Sequence, residues 1–157
     1  MRRHKQALSL EENLTIIEHN TSGVLALSGK DNLPYTVPLN YIYINNKIYF
    51  HCALEGHKLD LIAQNPYTSF CIIDQDKIIP QKFTSYYRSI NIQGTIKSII
   101  DENKKRAILQ DFLKKFSPKF FAEGIIEINK YITKTCILEL TIDTLNGKEA
   151  IELTKLK

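Results

Sequence analysis

Two periods of apolar and polar positions run along the chain, and each change of period marks an element. In SLEENLTIIEHN, Leu10, Leu14 and Ile17 recur at helical spacing. Ser9 and Glu12 open that helix as a capping box: the serine oxygen accepts from the Glu12 N–H, and the carboxylate accepts from the Ser9 N–H. SGVLALSG is a short glycine-bounded apolar run, a buried strand, and KDNLP after it is a turn by composition. YTVPLNYIYI and KIYFHCA are β-branched and aromatic, with Asn45-Asn46 between them in the positive-φ positions of a tight hairpin. Pro38 cannot donate to a ladder, so it marks an edge, a bulge or a place where something other than a strand lies alongside.

EGHKLDLIAQ returns to helical spacing through Leu59, Ile62 and Ala63, and Asn65-Pro66 stops it. YTSFCIID is a further strand. Beyond QDKIIPQ lies a long β-like run, FTSYYRSINIQGTIKSII, in which Gly94 predicts a bulge or bend. DENKKRAILQDFLKKFS is an amphipathic helix with Ile108, Leu109, Phe112, Leu113 and Phe116 on one side. Pro118 follows it, and no element is predicted from there until TCILELTID, the last strand. TLNGKEAIELTKLK is a polar tail. Antiparallel hairpins with helices only at intervals predict a mainly β, α+β fold, a small β-barrel with peripheral helices, and argue against a doubly wound parallel sheet.

The 157 residues suit one domain, and 43% apolar against 24% charged residues is a globular composition. No apolar run approaches the roughly 20 residues that span a bilayer. The basic N-terminus MRRHKQALSLEEN lacks an apolar stretch with a cleavage site behind it, so a cytoplasmic location is expected. Cys52, Cys71 and Cys136 are widely spaced without a CxxC pair, against a disulfide framework or a zinc ribbon. The net charge of +4 is modest, and the lysines of the long helix read as its solvated face, not as a nucleic-acid groove.

Candidate chemistry concentrates in HCALEGHKLDLIAQNP. His51 and Cys52 are adjacent in a strand and point to opposite faces, which weakens both a shared metal ion and a Cys–His nucleophile pair. No metal site is expected. The nucleophile elbow, the P-loop and the dinucleotide fingerprint are all absent. A phosphate pocket is better supported: Gly56 stands where a helix begins, with free N–H groups and a favourable dipole, and His57 and Lys58 add donors in the first turn. Taken alone, the segment reads more readily as carrying a solvated surface Lys58. Arg88, amid Tyr86, Tyr87 and Ser89, reads more readily as an edge charge or half of an ion pair than as a ligand contact.

Together VPLNY, YFHCALEGHKLD and YYRS, in that order and spacing, resemble the pyridoxamine 5′-phosphate oxidase-like flavoproteins, and within them the nitroimidazole-resistance branch. The likeness runs from about Arg2 to Gly94. It implies an antiparallel split β-barrel of the FMN-binding type, a homodimer with FMN at the subunit interface. Val37, Pro38, Leu39, Asn40 and Tyr41 would then lie along the isoalloxazine ring. His51, Cys52, Ala53, His57 and Lys58 would surround the ribityl phosphate, with Lys58 as its cation. Tyr87, Arg88 and Ser89 would approach from one subunit or the other. His51 would serve as proton donor or substrate contact, and its alternative is a hydrogen-bonded strand histidine. The implied activity is FMN-dependent reduction of nitroimidazole-like or other small electron-poor compounds, fed by a nicotinamide nucleotide or a small electron carrier. The chain is short for the oxidase itself and lacks its basic C-terminal substrate segment, which disfavours vitamin B6 oxidation. Competing expectations are a haem-handling split barrel and a flavin-binding sensor without turnover.

Overall fold

The computed structural model describes residues 4–155. Arg2 and Arg3 of the basic N-terminus and the last two residues of the tail lie outside the described residues. The strands are β1 (Ser22–Ser28), β2 (Pro34–Asn40), β3 (Ile42–Ile44), β4 (Lys47–Ala53), β5 (Tyr67–Ile79), β6 (Thr84–Ile99) and β7 (Thr135–Glu149). The α-helices are α1 (Leu10–His19), α2 (His57–Gln64), α3 (Glu102–Phe116) and α4 (Phe121–Tyr131). The sheet order is β2-β1-β5-β6-β7-β4-β3, and every neighbouring pair is antiparallel.

The order has a geometric consequence. β2 and β3 are the two edges of a seven-stranded sheet, yet only Tyr41 separates them. A flat sheet of this size would be ~29 Å across at ~4.8 Å per strand, whereas a one-residue link reaches only ~7 Å. The sheet must therefore curl until its edges meet, which is the split barrel. Tyr41 is completely buried at that seam. Its hydroxyl donates to the Ile17 carbonyl at 2.7 Å, and its N–H donates to the Thr21 carbonyl at 3.2 Å.

The curl encloses the main core, in which Leu25, Phe50, Phe70, Ile72, Ile92 and Leu138 are fully buried. A second cluster fills the outer face of the sheet under α3: Ile42, Tyr49, Ile99, Ile108, Phe112 and Ile137. The capping box of α1 forms as read, with Ser9 N–H to Glu12 Oε2 at 2.7 Å and Glu12 N–H to Ser9 Oγ at 3.2 Å. Its buried face is Ile16 and Ile17, and Leu10 stays in solvent because it lies ahead of the turn that meets the sheet. Asn45 and Asn46 hold φ of 49° and 60°, as the hairpin requires. Pro38 sits on the edge strand β2, where its missing donor costs no ladder bond on the open side. The β6–β7 register shifts at Gln93/Gly94, and a Cβ on Gly94 would run into the Thr141 carbonyl.

Three expectations change. The 35–44 run is not one strand but β2 and β3, parted at Tyr41. β5 continues through Ile79, pairing Gln75–Ile79 with Thr84–Arg88 as a projecting hairpin, bulged near Ile73/Gln75. The polar tail begins as strand: β7 runs on through residues 144–149, and Gly147, Lys148 and Glu149 pair with Ile90, Ser89 and Arg88. α4 is unanticipated and packs through Gly124 against Leu113 of α3.

Candidate flavin phosphate site and histidine cavity

β4 delivers the chain to the start of α2. Gly56 caps that helix at φ 137°, a conformation side chains resist, and no side chain caps the first-turn N–H groups. Nothing stands within 4 Å of where a Gly56 Cβ would be, so the approach to the helix terminus is open. Lys58 is half-buried in the first turn, and among the described residues no carboxylate lies within 4.0 Å of its ammonium. A half-buried cation without a counter-charge, beside an uncapped helix N-terminus, is an arrangement that an anion completes. The His57 ring meets Tyr35 of β2 edge-on, with centroids 4.9 Å apart, which ties this terminus to the edge strand.

The other predicted residues fall into separate groups. On β2, Val37 and Leu39 turn toward the main core, while Pro38 and Asn40 face outward. Asn40 also donates from its side chain to the Thr21 carbonyl at 3.1 Å. Asn40 and His51 share a cavity of about 320 Å³ with Phe112, Leu113, Phe116 and Ser117. The His51 ring stands edge-on to Phe112, with centroids 4.8 Å apart. Although His51 is exposed by surface area, desolvation beside Phe112 lowers the imidazole's pKa from its ordinary value, which favours the neutral ring that can accept as well as donate. Cys52, on the opposite face of β4, packs against the main core, and Ala53 pairs with Thr135.

Tyr87, Arg88 and Ser89 lie elsewhere on the sheet. Arg88 donates from Nε and Nη2 to Glu149 Oε2 at 3.3 and 3.0 Å, with Asp74 at 3.9 Å. Tyr87 Oη accepts from Gln6 Nε2 at 3.4 Å, and Ser89 pairs with Ile73 and Lys148. Ser98 of the same strand touches Cys136, the cross-strand neighbour of Cys52. Ten strand positions from Ser98 back to Arg88 span up to ~33 Å. Among the described residues no hydrogen bond or ion pair joins these three residues to Lys58.

Sequence reasoning missed Phe112 and Phe116 as cavity walls, Cys136 as the partner of Cys52, and Glu139. The side chain of Glu139 is fully buried on β7, yet it receives Lys47 at 2.8 Å, Lys104 at 2.7 Å, Lys97 at 3.6 Å and the Tyr49 hydroxyl at 3.1 Å. The one available signal was a glutamate interrupting the apolar run CILEL. Among the described residues no group of three or more His, Cys, Asp or Glu side chains could hold a metal ion. No described helix is long and apolar enough to cross a membrane.

The sequence profile of the family described as pyridoxamine 5′-phosphate oxidase matches residues 9–149. This chain belongs to that family. No curated protein matches it. Among solved structures, a candidate 5-nitroimidazole antibiotic resistance protein from Bacteroides thetaiotaomicron superposes with a TM-score of 0.71 at 19% identity, over 91% of this chain and 86% of that one. The FAD and heme binding protein from Mycobacterium smegmatis gives 0.79 at 22% identity, over 94% and 74%. A conserved hypothetical protein from Mycobacterium tuberculosis gives 0.80 at 15% identity, over 94% and 88%. At such identities the likeness establishes the shared split-barrel fold of this pyridoxamine 5′-phosphate oxidase family member.

Proposed function

We propose that this chain binds FMN between two copies of itself and reduces small electron-poor compounds of the nitroaromatic kind. The observation that carries the reading is Lys58, half-buried at the uncapped start of α2 with no carboxylate within reach among the described residues. One helix terminus and one lysine suit a terminal monophosphate, which favours FMN over a dinucleotide. His57, steadied by Tyr35, adds a second donor. The outward positions of β2, Pro38 and Asn40, offer a flat edge for a ring system. Arg88 is held by Glu149 and Asp74 and not linked to Lys58 among the described residues, so a pocket that uses both sets is built by a homodimer.

When bound, the flavin supplies the electron transfer. The chain would hold its phosphate through Lys58 and the α2 N–H groups, while Phe112, Leu113 and Phe116 give the His51 cavity an apolar side. His51 would contact the substrate there, giving a proton from one ring nitrogen to a reduced nitrogen or oxygen while the other ring nitrogen takes one up from solvent. The reductant is a nicotinamide nucleotide or a small electron carrier in solution. The same cavity favours one second reading, haem, since a neutral imidazole amid aromatic walls is the state that ligates iron.

FMN titration of the apoprotein, followed by flavin fluorescence, tests the phosphate assignment. Lys58→Ala is expected to raise the Kd roughly 10- to 100-fold, from loss of a charge-assisted contact of about 1.5–3 kcal/mol, while Lys58→Arg retains most of the affinity. An unchanged Kd in Lys58→Ala overturns it.

A further inference from the structure

Cys52 and Cys136 are 84 positions apart in the chain yet directly opposite one another across the β4–β7 ladder. Directly opposed residues share a face and have Cα atoms about 4.5–5.5 Å apart, inside the roughly 4.4–6.8 Å window of a disulfide. The two thiols are near enough for each to shift the other's titration. Ser98 Oγ lies 3.7 Å from Cys136 Sγ, and the ammonium groups of Lys58 and Lys105 add positive potential from α2 and α3. Cys136 itself is 7% exposed, whereas Cys52 is half-buried and forms the open side of the pair.

We propose that Cys52 and Cys136 are a redox couple that closes to an intrachain, cross-strand disulfide under peroxide and reopens with a dithiol reductant. The adjacent Cys52 thiol, then Ser98 and the two lysines, draw the Cys136 thiol below its ordinary pKa despite burial, and Cys52 is pushed up in return. Cys136, the member of the pair in contact with the Ser98 hydroxyl, is the attacking thiolate. Its sulfur attacks one peroxide oxygen, the O–O bond breaks, and the departing hydroxide takes up the proton that Cys136 had released, leaving water and a sulfenic acid. Cys52 then loses its proton and attacks the Cys136 sulfur. The S–S bond forms, the S–O bond breaks, and hydroxide leaves with that proton as a second water. Two thiols are oxidised by two electrons and one peroxide is reduced to two waters. The close resolving thiol and the burial of Cys136 keep the reaction from running on to sulfinic acid. The couple stands on the β4–β7 register, which is formed without flavin.

Cys71 provides an internal reference. It is half-buried on β5, opposite Val24 and Asn91 and away from the other two thiols, and burial pushes its pKa up. The test treats the folded protein with a small excess of hydrogen peroxide and maps peptides by mass under non-reducing conditions. The expected result is a Cys52–Cys136 linked peptide, two hydrogens lighter than the free pair, formed about tenfold or more faster than any change at Cys71 and removed by dithiothreitol. In Cys52→Ser the same treatment leaves a sulfenic acid on Cys136 that dimedone traps. If that variant does not fold, the wild-type peptide map decides alone. Sulfinic acid at Cys52 or Cys136 without the linked peptide, oxidation of Cys71 at the same rate, or thiols that react only after unfolding overturns the proposal.

Discussion

Replacing Glu139 by glutamine should loosen the wall of the histidine cavity, and its cost follows from the charges around it. The carboxylate is fully buried and accepts from Lys47 of β4, Lys104 of α3 and the Tyr49 hydroxyl, with Lys97 of β6 close by. It thereby ties α3, which carries Phe112 and Phe116, to the sheet. Burial alone would raise its pKa, but Lys104, Lys47 and Tyr49 outweigh that and hold it at about 2, against an ordinary 4.5. At about 1.4 kcal/mol per pH unit the difference is at most ~3.4 kcal/mol. Lys97 and Lys104 are 71% and 45% exposed, so solvent screening brings it to about 2 kcal/mol. Because the folded pKa is depressed, this stability is fully present above pH 4.5 and is lost as the pH falls toward 2. Glu139→Gln should therefore cost about 2 kcal/mol in urea unfolding at pH 7. The gap between variant and wild type should close as the pH falls from 5 to 2.5. A gap under ~0.5 kcal/mol at pH 7, or one that does not narrow with acid, would show that the lysines are merely adjacent to the carboxylate.

Two further substitutions separate structure from chemistry. Tyr41→Phe removes the hydroxyl that donates to Ile17 and leaves a buried carbonyl at the seam, so urea unfolding should show a loss of about 1–2 kcal/mol with the flavin Kd changed less than about threefold. His51→Ala should lower kcat for nitro-compound reduction by roughly 100-fold while leaving flavin affinity near wild type; comparison of stopped-flow turnover with an FMN titration checks this, and unfolding of the variant would make His51 a structural residue.

Much of the fold was legible because it was written locally. Ser9 and Glu12 announce a helix start within four residues, and Asn45-Asn46 specify a hairpin by their φ preference alone. Pro38 and Gly94 mark an edge and a bulge by what they cannot do. The candidate phosphate site was legible for the same reason, since Gly56, His57 and Lys58 are consecutive. What escaped was decided at long range. The apolar run from Tyr35 to Ile44 gives no sign that its halves occupy opposite edges, because that depends on the curl of the whole sheet. α4 carries a glycine that weakens its helical pattern, and only contact with Leu113 explains it. QDKII lacks an apolar face and becomes strand by pairing with Thr84–Arg88. Arg88 showed its charge but not its partner, which lies 61 positions away on β7.

The measurement that bears most directly on the flavoprotein reading is the visible absorption spectrum of the purified protein, with the mass of whatever ligand acid releases. A flavin spectrum with FMN released at about one per chain is the predicted result. A Soret band with released haem would move the assignment to the His51 cavity and a haem-handling role. A colourless protein that takes up neither FMN nor haem would contradict the account.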